Sequence, residues 1–262
     1  MPDRKKTGKL LTSELIKYLA PTNQMNFKVF AIIPSAGMGR RLGGVKKNYL
    51  ELLGKPILTR TLAIFEASPL ITGIIVVTAK GDTDLVTALC KEHKIKKITE
   101  VVEGGAERQD SVFAALKVLP SDANAVIIHD GARPLLSPSM VEEVISGVRK
   151  SKAVITGVQP KDTIKKISVD ELSEVVTVSE TPKREFLISV QTPQGFDAEI
   201  LKDAYEKAKE DEFIGTDCSS LVERAGHKVI VIPGSYENIK ITTPEDLRLA
   251  ESIIVSREVD LA

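Results

Sequence analysis

The sequence predicts an α/β fold, a mostly parallel sheet flanked by helices, and three observations carry that prediction. Short apolar runs rich in Val and Ile alternate with longer helical patterns from residue 29 onward, which is the signature of βαβ crossovers. The composition is 42% apolar with only 4% aromatic residues, as expected of a Val/Ile/Leu core shared by a buried sheet and its helices. The first apolar run also opens into a loop of small residues, as strand-to-helix turns in such folds do.

Each element can be justified in turn. Residues 1–26 hold a basic start and a short helical stretch, Ser13 to Leu19, before Pro21. The stretch is too short and interrupted for a signal peptide, and Asp3, Glu14 and the scarcity of Ser and Arg argue against a transit peptide. Met25 stands just ahead of the first strand. The segment therefore reads as an appended extension, and residues 27–262 as the functional domain. Strands are expected at Val29–Pro34, Gly73–Thr78, Ile98–Glu103, Ala125–His129 and Ala153–Val158. Helices are expected near Ile57–Ala67, Thr83–His93, Asp110–Leu119 and Ser139–Lys150.

The rhythm breaks at about residues 160–184. Thr163 to Ser168 and Glu174 to Ser179 read as two short strands around Val169-Asp170-Glu171, a hairpin with little core of its own. Such an arm either packs on a partner subunit or stands as a solvated edge hairpin. The alternation then resumes with a strand at Thr192–Phe196, a helix to about Glu210, another from Asp217 to Ala225, and a strand at Lys228–Ile232. A short strand over Glu237–Thr242 delivers Lys240, and a helix after Pro244 closes the chain.

Composition excludes several functions. Lys and Arg total 36, as do Asp and Glu, so no global field favours nucleic acid or a membrane surface. No apolar run reaches the length of a membrane span. Cys90 and Cys218 are far apart and lack metal-ligand spacing, which suits a reducing, cytoplasmic setting and argues against a structural zinc.

Ligands of open α/β sheets sit beyond the carboxyl ends of the strands, which selects three segments. The first is Ala31-Ile32-Ile33-Pro34-Ser35-Ala36-Gly37-Met38-Gly39-Arg40-Arg41-Leu42, followed by Lys46 and Lys47. Bare backbone there lets an anion approach N–H groups, and four cations cluster around the same place. It is not a dinucleotide fingerprint, because Leu42 takes the third glycine position. It is not a Walker A loop either, because Gly44 is followed by Val45 instead of Lys. A nucleoside triphosphate is the natural ligand. The second segment, Gly104 to Ser111, either presents backbone groups to a base edge or caps a helix, and both can hold together. The third is His129-Asp130-Gly131-Ala132-Arg133-Pro134. Asp130 is placed either to hold Mg²⁺ beside a triphosphate or to serve as a cap or an ion pair with Arg133, and His129 reads as structural.

These blocks, with Lys47-Asn48-Tyr49-Leu50, Asp162-Thr163, Thr192-Pro193-Gln194, Thr216-Asp217, Asn238-Ile239-Lys240 and Thr243 to Leu247, fall in an order that resembles the 2-C-methyl-D-erythritol 4-phosphate cytidylyltransferase family. The resemblance covers Phe27 to Ile254. It implies a Rossmann-like nucleotidyltransferase fold, a homodimer with exchanged arms, and CMP transfer from CTP to a sugar-alcohol phosphate with Mg²⁺ or another divalent cation. By the same resemblance Arg41, Lys47 and Lys240 are catalytic. Pro34, Ser35, Ala36, Gly37, Gly39, Gly104, Gly105, Ser111 and Asp130 match nucleotide-binding positions, Asp130 also the metal position. Arg133, Thr163, Arg184, Thr192, Thr216 and Lys240 match the acceptor side, Thr163 and Arg184 reaching in from the partner's arm.

Four positions depart from the family's pattern. Lys46 replaces a usual Pro, which leaves open which lysine faces the phosphates, and Ala106, Gly131 and Cys218 also differ. The nearest alternative, ribitol-5-phosphate cytidylyltransferase, shares most motifs. Asp162-Thr163 with Arg184 favours methylerythritol phosphate as the acceptor.

Overall fold

Every residue of the run Val29 to Ile33 is buried in the computed structural model, which describes residues 26–37, 46–169 and 176–259. The reason is alternation across a covered sheet. Val29, Ala31 and Ile33 point into one core with Leu58, Leu62, Phe65 and Val144. Phe30 and Ile32 point into the other with Val112, Leu116, Leu201 and Tyr205.

Strands β1 (Val29–Pro34), β2 (Glu51–Leu52) and β3 (Lys55–Pro56) lead into helix α1 (Ile57–Ala67). Then follow β4 (Gly73–Thr78), α2 (Thr83–Glu92), β5 (Ile98–Glu103), α3 (Arg108–Lys117), β6 (Ala125–Ile128), α4 (Pro138–Ser151) and β7 (Ala153–Val158). The arm carries β8 (Lys166–Val169) and β9 (Val176–Glu180). After it come β10 (Ser189–Asp197), α5 (Ala198–Glu210), α6 (Cys218–Arg224), β11 (Ile230–Pro233) and α7 (Pro244–Val259). Seven strands form one sheet in the order β11-β7-β10-β6-β1-β4-β5. β1 runs parallel to β4 and β6, whereas β10 runs antiparallel to both its neighbours, β6 and β7. The parallel strands bring the ends of β1 and β6 side by side, which is where the predicted ligand segments begin.

The predicted alternation is observed, with three differences. Glu237–Thr242 is not a strand. Its groups are tied one by one: Asn238 donates through Nδ2 to Thr192 O at 2.8 Å, its own carbonyl accepts from Arg133 at 2.7 Å, and Ile241 N–H donates to Ala132 O at 2.9 Å. β10 is longer than expected, and it is interrupted by a bulge between Gln191 and Gln194. The small β2–β3 hairpin was not anticipated. The arm is a hairpin as expected, while the turn residues 170–175 and the Ser13–Leu19 stretch lie outside the described residues. Among the described residues no helix is long and apolar enough to cross a membrane.

One face of the arm is notable. Ile167 pairs with Val178 and Val169 with Val176, so all four side chains share a face. They are 54–59% exposed.

Candidate active site

Two clefts open at the carboxyl ends of β1 and β6 and share a wall. The first, about 220 Å³, is lined by Pro34, Ala36, Gly37, Lys47, Gly105, Ser111, Asp130 and Lys240 among the expected residues. Ser35 and Gly104 stand just behind them. A Cβ on Gly104 would come within 2.5 Å of Ser111 Oγ and 2.8 Å of Ala36 Cβ, so three small residues are needed for the wall to close. A Cβ on Gly131 would lie 2.4 Å from Ser35 Oγ, which accounts for glycine there in this chain. Gly39 and Arg41 lie outside the described residues.

The geometry separates the two lysines. Lys46 Nζ is paired with both oxygens of Asp82, at 2.6 and 2.8 Å. Tyr49 hydroxyl bonds Thr78 Oγ1 at 3.0 Å and Asp82 Oδ2 at 3.1 Å, and burial is the main cause of its pKa being pushed up to about 12. Asn48 donates from Nδ2 to Ser35 O. These anchors fix the single turn Lys47–Tyr49 so that Lys47 lines the cleft.

The second cleft, about 340 Å³, is lined by Arg133, Thr192 and Thr216, with Asp130, Arg108 and Lys240 belonging to both. Asp130 is the hub. Its carboxylate meets Lys240 Nζ at 2.9 Å, Arg108 at 3.3 Å and Arg133 Nε at 3.5 Å. Burial alone would raise its pKa, but Arg108, Lys240 and Arg133 together hold it well below the carboxylate range. The ion pair with Arg133 weighed from the sequence is therefore present, as one of three.

His129 has the structural place expected of it. Its Nε2–H donates to Arg133 O at 3.0 Å, and its Nδ1 lies 3.1 Å from Thr192 Oγ1. Thr192 Oγ1 in turn accepts from Asp130 N–H at 3.1 Å, so the hydroxyl proton goes to His129. The ring is fully buried and neutral, its pKa lowered by burial to about 4.

Arg108 was not singled out from the sequence, where it stands among the polar residues opening a helix. It reaches Asp130 and also places Nη1 3.3 Å from Cys218 Sγ, which Tyr205 hydroxyl approaches to 3.2 Å. Thr163 and Arg184 bond each other at 3.1 Å on the exposed arm. Neither lines either of these two clefts.

The donor set suits a hard divalent cation shared with a polyphosphate. Asp130 offers one ionised oxygen ligand, and among the described residues no group of three or more His, Cys, Asp or Glu gathers to cage a metal. Mg²⁺ accepts such a site because it keeps waters and takes the rest of its shell from phosphate oxygens.

Comparison with known proteins identifies the chain's relatives. The family described as IspD, 2-C-methyl-D-erythritol 4-phosphate cytidylyltransferase, matches residues 29–256. A protein of that name from Halalkalibacterium halodurans is 42% identical over 228 residues, covering 87% of this chain and 97% of its own. Another from Alkaliphilus metalliredigens is 44% identical over 233 residues, covering 88% and 95%. The crystal structure of 4-diphosphocytidyl-2C-methyl-D-erythritol synthase from Anaerococcus prevotii superposes with a TM-score of 0.76 at 35% identity, covering 89% of this chain and 99% of that one.

Proposed function

Since the chain belongs to the 2-C-methyl-D-erythritol 4-phosphate cytidylyltransferase family, we propose that it transfers CMP from CTP to methylerythritol 4-phosphate, releasing pyrophosphate. One observation carries the reading: two clefts, one lined by the small residues Ala36, Gly37, Gly105 and Ala106 beside Lys47 and the other by polar side chains, meet at Asp130, Arg108 and Lys240. A nucleotide in the first and a phosphorylated polyol in the second would face each other across those charges. Neither the matched family nor these relatives points to ribitol 5-phosphate.

The chemistry requires no general base. The attacking group is a phosphate oxygen already ionised at neutral pH. The obstacle is the meeting of two anions and the charge that accumulates at the α-phosphorus. At ~4 Å and an effective dielectric of ~20, one charge pair is worth about 4 kcal/mol before desolvation. Fixed cations can therefore supply much of the stabilisation by position alone. Lys47, with Arg41 as the family resemblance implies, braces the α-phosphate. Lys240 and Arg133 gather the acceptor phosphate. Asp130 would hold Mg²⁺ or another divalent cation, which would supply charge neutralisation on the departing pyrophosphate.

Residues 27–262 form the catalytic domain in this reading, with 1–26 appended, and the free, buried Cys90 and Cys218 accord with the cytoplasm. The enzyme works as a homodimer: the exposed apolar face of the arm seeks a partner, and Thr163 and Arg184 need another protomer's cleft to serve an acceptor. The test is pyrophosphate release from CTP and Mg²⁺ with methylerythritol 4-phosphate or ribitol 5-phosphate in parallel. Turnover with the first alone is expected. Turnover with ribitol 5-phosphate alone would reassign the acceptor, and silence with both would refute cytidylyl transfer.

A further inference from the structure

One side chain sutures the loop between α5 and α6 to helix α3. Gln109, the second residue of α3, donates from Nε2 to Phe213 O at 2.9 Å and accepts at Oε1 from Gly215 N–H at 2.9 Å. A carbonyl on one side and an N–H on the other fix the amide, because the flipped arrangement would break both bonds. Gln109 thus holds one carbonyl and one N–H of the stretch Phe213 to Thr216.

Both sides of the suture are firm. In the first turn of α3, Asp110 Oδ2 accepts from Glu107 N–H at 3.0 Å, and Glu107 O accepts from Ser111 N–H at 3.1 Å. Neither bond involves Gln109, so the turn keeps its shape without that side chain. Beyond the loop, Asp217 caps α6 by accepting from Ser220 N–H at 2.9 Å, and Gln194 Nε2 donates to Asp217 Oδ2 at 2.7 Å. Thr216 stands between these two fixed points, Gly215 and Asp217.

The position matters because Thr216 lines the second cleft and is exposed there. Thr192, the other threonine of that cleft, is committed to Asp130 and His129. Under the function proposed above, on which this inference rests, Thr216 is therefore the threonine that can meet the acceptor. Gln109 itself lines neither cleft. Its neighbour Arg108 lines both, so the first turn of α3 turns one side chain to the clefts and the next to the loop.

We propose that Gln109 is a positioning residue for the acceptor substrate, its amide holding the loop so that Thr216 stands in the second cleft. The nucleotide side of the site thereby carries, on one helix turn, the group that sets a wall of the acceptor side.

The test measures kcat and the KM for both substrates in the wild type, Gln109→Met, Thr216→Val and the double variant. Gln109→Met should raise KM for methylerythritol 4-phosphate about three- to tenfold, while kcat and KM for CTP stay within about twofold. Thr216→Val should do the same. The double variant should be no worse than Thr216→Val alone, because both changes act on one contact. Damage passing through α3 would instead reach Arg108, which both clefts share, and would lower kcat and raise KM for CTP. That pattern, or losses that multiply in the double variant, would overturn the proposal. An unchanged KM for the acceptor in either single variant would overturn it too. Gln109→Glu, which keeps the contact with Gly215 and loses the one with Phe213, serves the same comparison if the Met variant does not fold. Failure of the wild type to use methylerythritol 4-phosphate at all would refute the cytidylyl-transfer reading instead.

Discussion

The Lys240 ammonium lies 2.9 Å from the Asp130 carboxylate at the seam between the two clefts. The pair joins the end of β6 to a segment more than a hundred residues later, and Arg108 and Arg133 complete the ring of cations around one acid. Incoming phosphates compete with Asp130 for these cations, and a divalent ion competes with the cations for Asp130. Asp130→Asn should therefore lower kcat/KM by at least about 100-fold and raise the Mg²⁺ concentration needed for half-maximal rate. Initial rates over an Mg²⁺ titration check both. A wild-type Mg²⁺ dependence in the variant would remove Asp130 from the metal's shell.

The adjacent lysines should behave differently. Lys47→Ala is expected to lower kcat by about 10²–10³ with a much smaller rise in KM for the acceptor, as for a donor used in the transition state. Lys46→Ala removes the half-exposed partner of a nearly buried Asp82 and should cost about 1–3 kcal/mol of stability, with a much smaller loss of kcat than Lys47→Ala. Steady-state kinetics and thermal melts on both variants decide the matter.

His129 predicts a pH dependence of stability without a matching one in activity. Its folded pKa is lowered by burial from 6.5 to about 4. Between those values the unfolded chain binds a proton that the folded protein does not, so stability rises with pH there. Stability should be complete above pH 6.5 and decline by up to about 1.4 kcal/mol per unit as pH falls toward 4. His129→Gln should flatten that slope whatever its own melting temperature. Denaturant unfolding at several pH values tests this.

The arm should govern assembly. Placing a charge on its apolar face, as in Ile167→Asp or Val178→Lys, should shift the protein toward monomer and lower kcat at least about tenfold, because an unpaired charge at an apolar contact is costly. Sedimentation velocity and activity at matched concentrations provide the check. A fully active monomer would refute the exchanged-arm reading.

Local signals were legible where chemistry and position coincide. Runs such as Val29–Ile33 and Gly73–Thr78 reveal buried strands because both faces are covered. Long-range facts were not. Ile239 and Ile241 alternate as in a strand, yet their segment is tied to Thr192, Arg133 and Ala132 instead of a ladder. Nothing local announces that β10 runs antiparallel. The choice between Lys46 and Lys47 is made by Asp82, 36 residues away, and Arg108 becomes a site residue only through Asp130, 22 residues on. Thr192 was read as an acceptor contact, but its hydroxyl has internal duties that only the fold reveals.

Thr163 and Arg184 touch each other and neither cleft of their own chain. If each completes the neighbour's site, a catalytic centre is divided between two polypeptides, and so is any lesion in it. Arg184→Ala and Lys47→Ala would each be defective alone. Mixed in one dimer, they would place both lesions in one centre and leave the other whole. Two inactive copies of the chain, expressed together, would then restore growth or turnover that neither supports by itself.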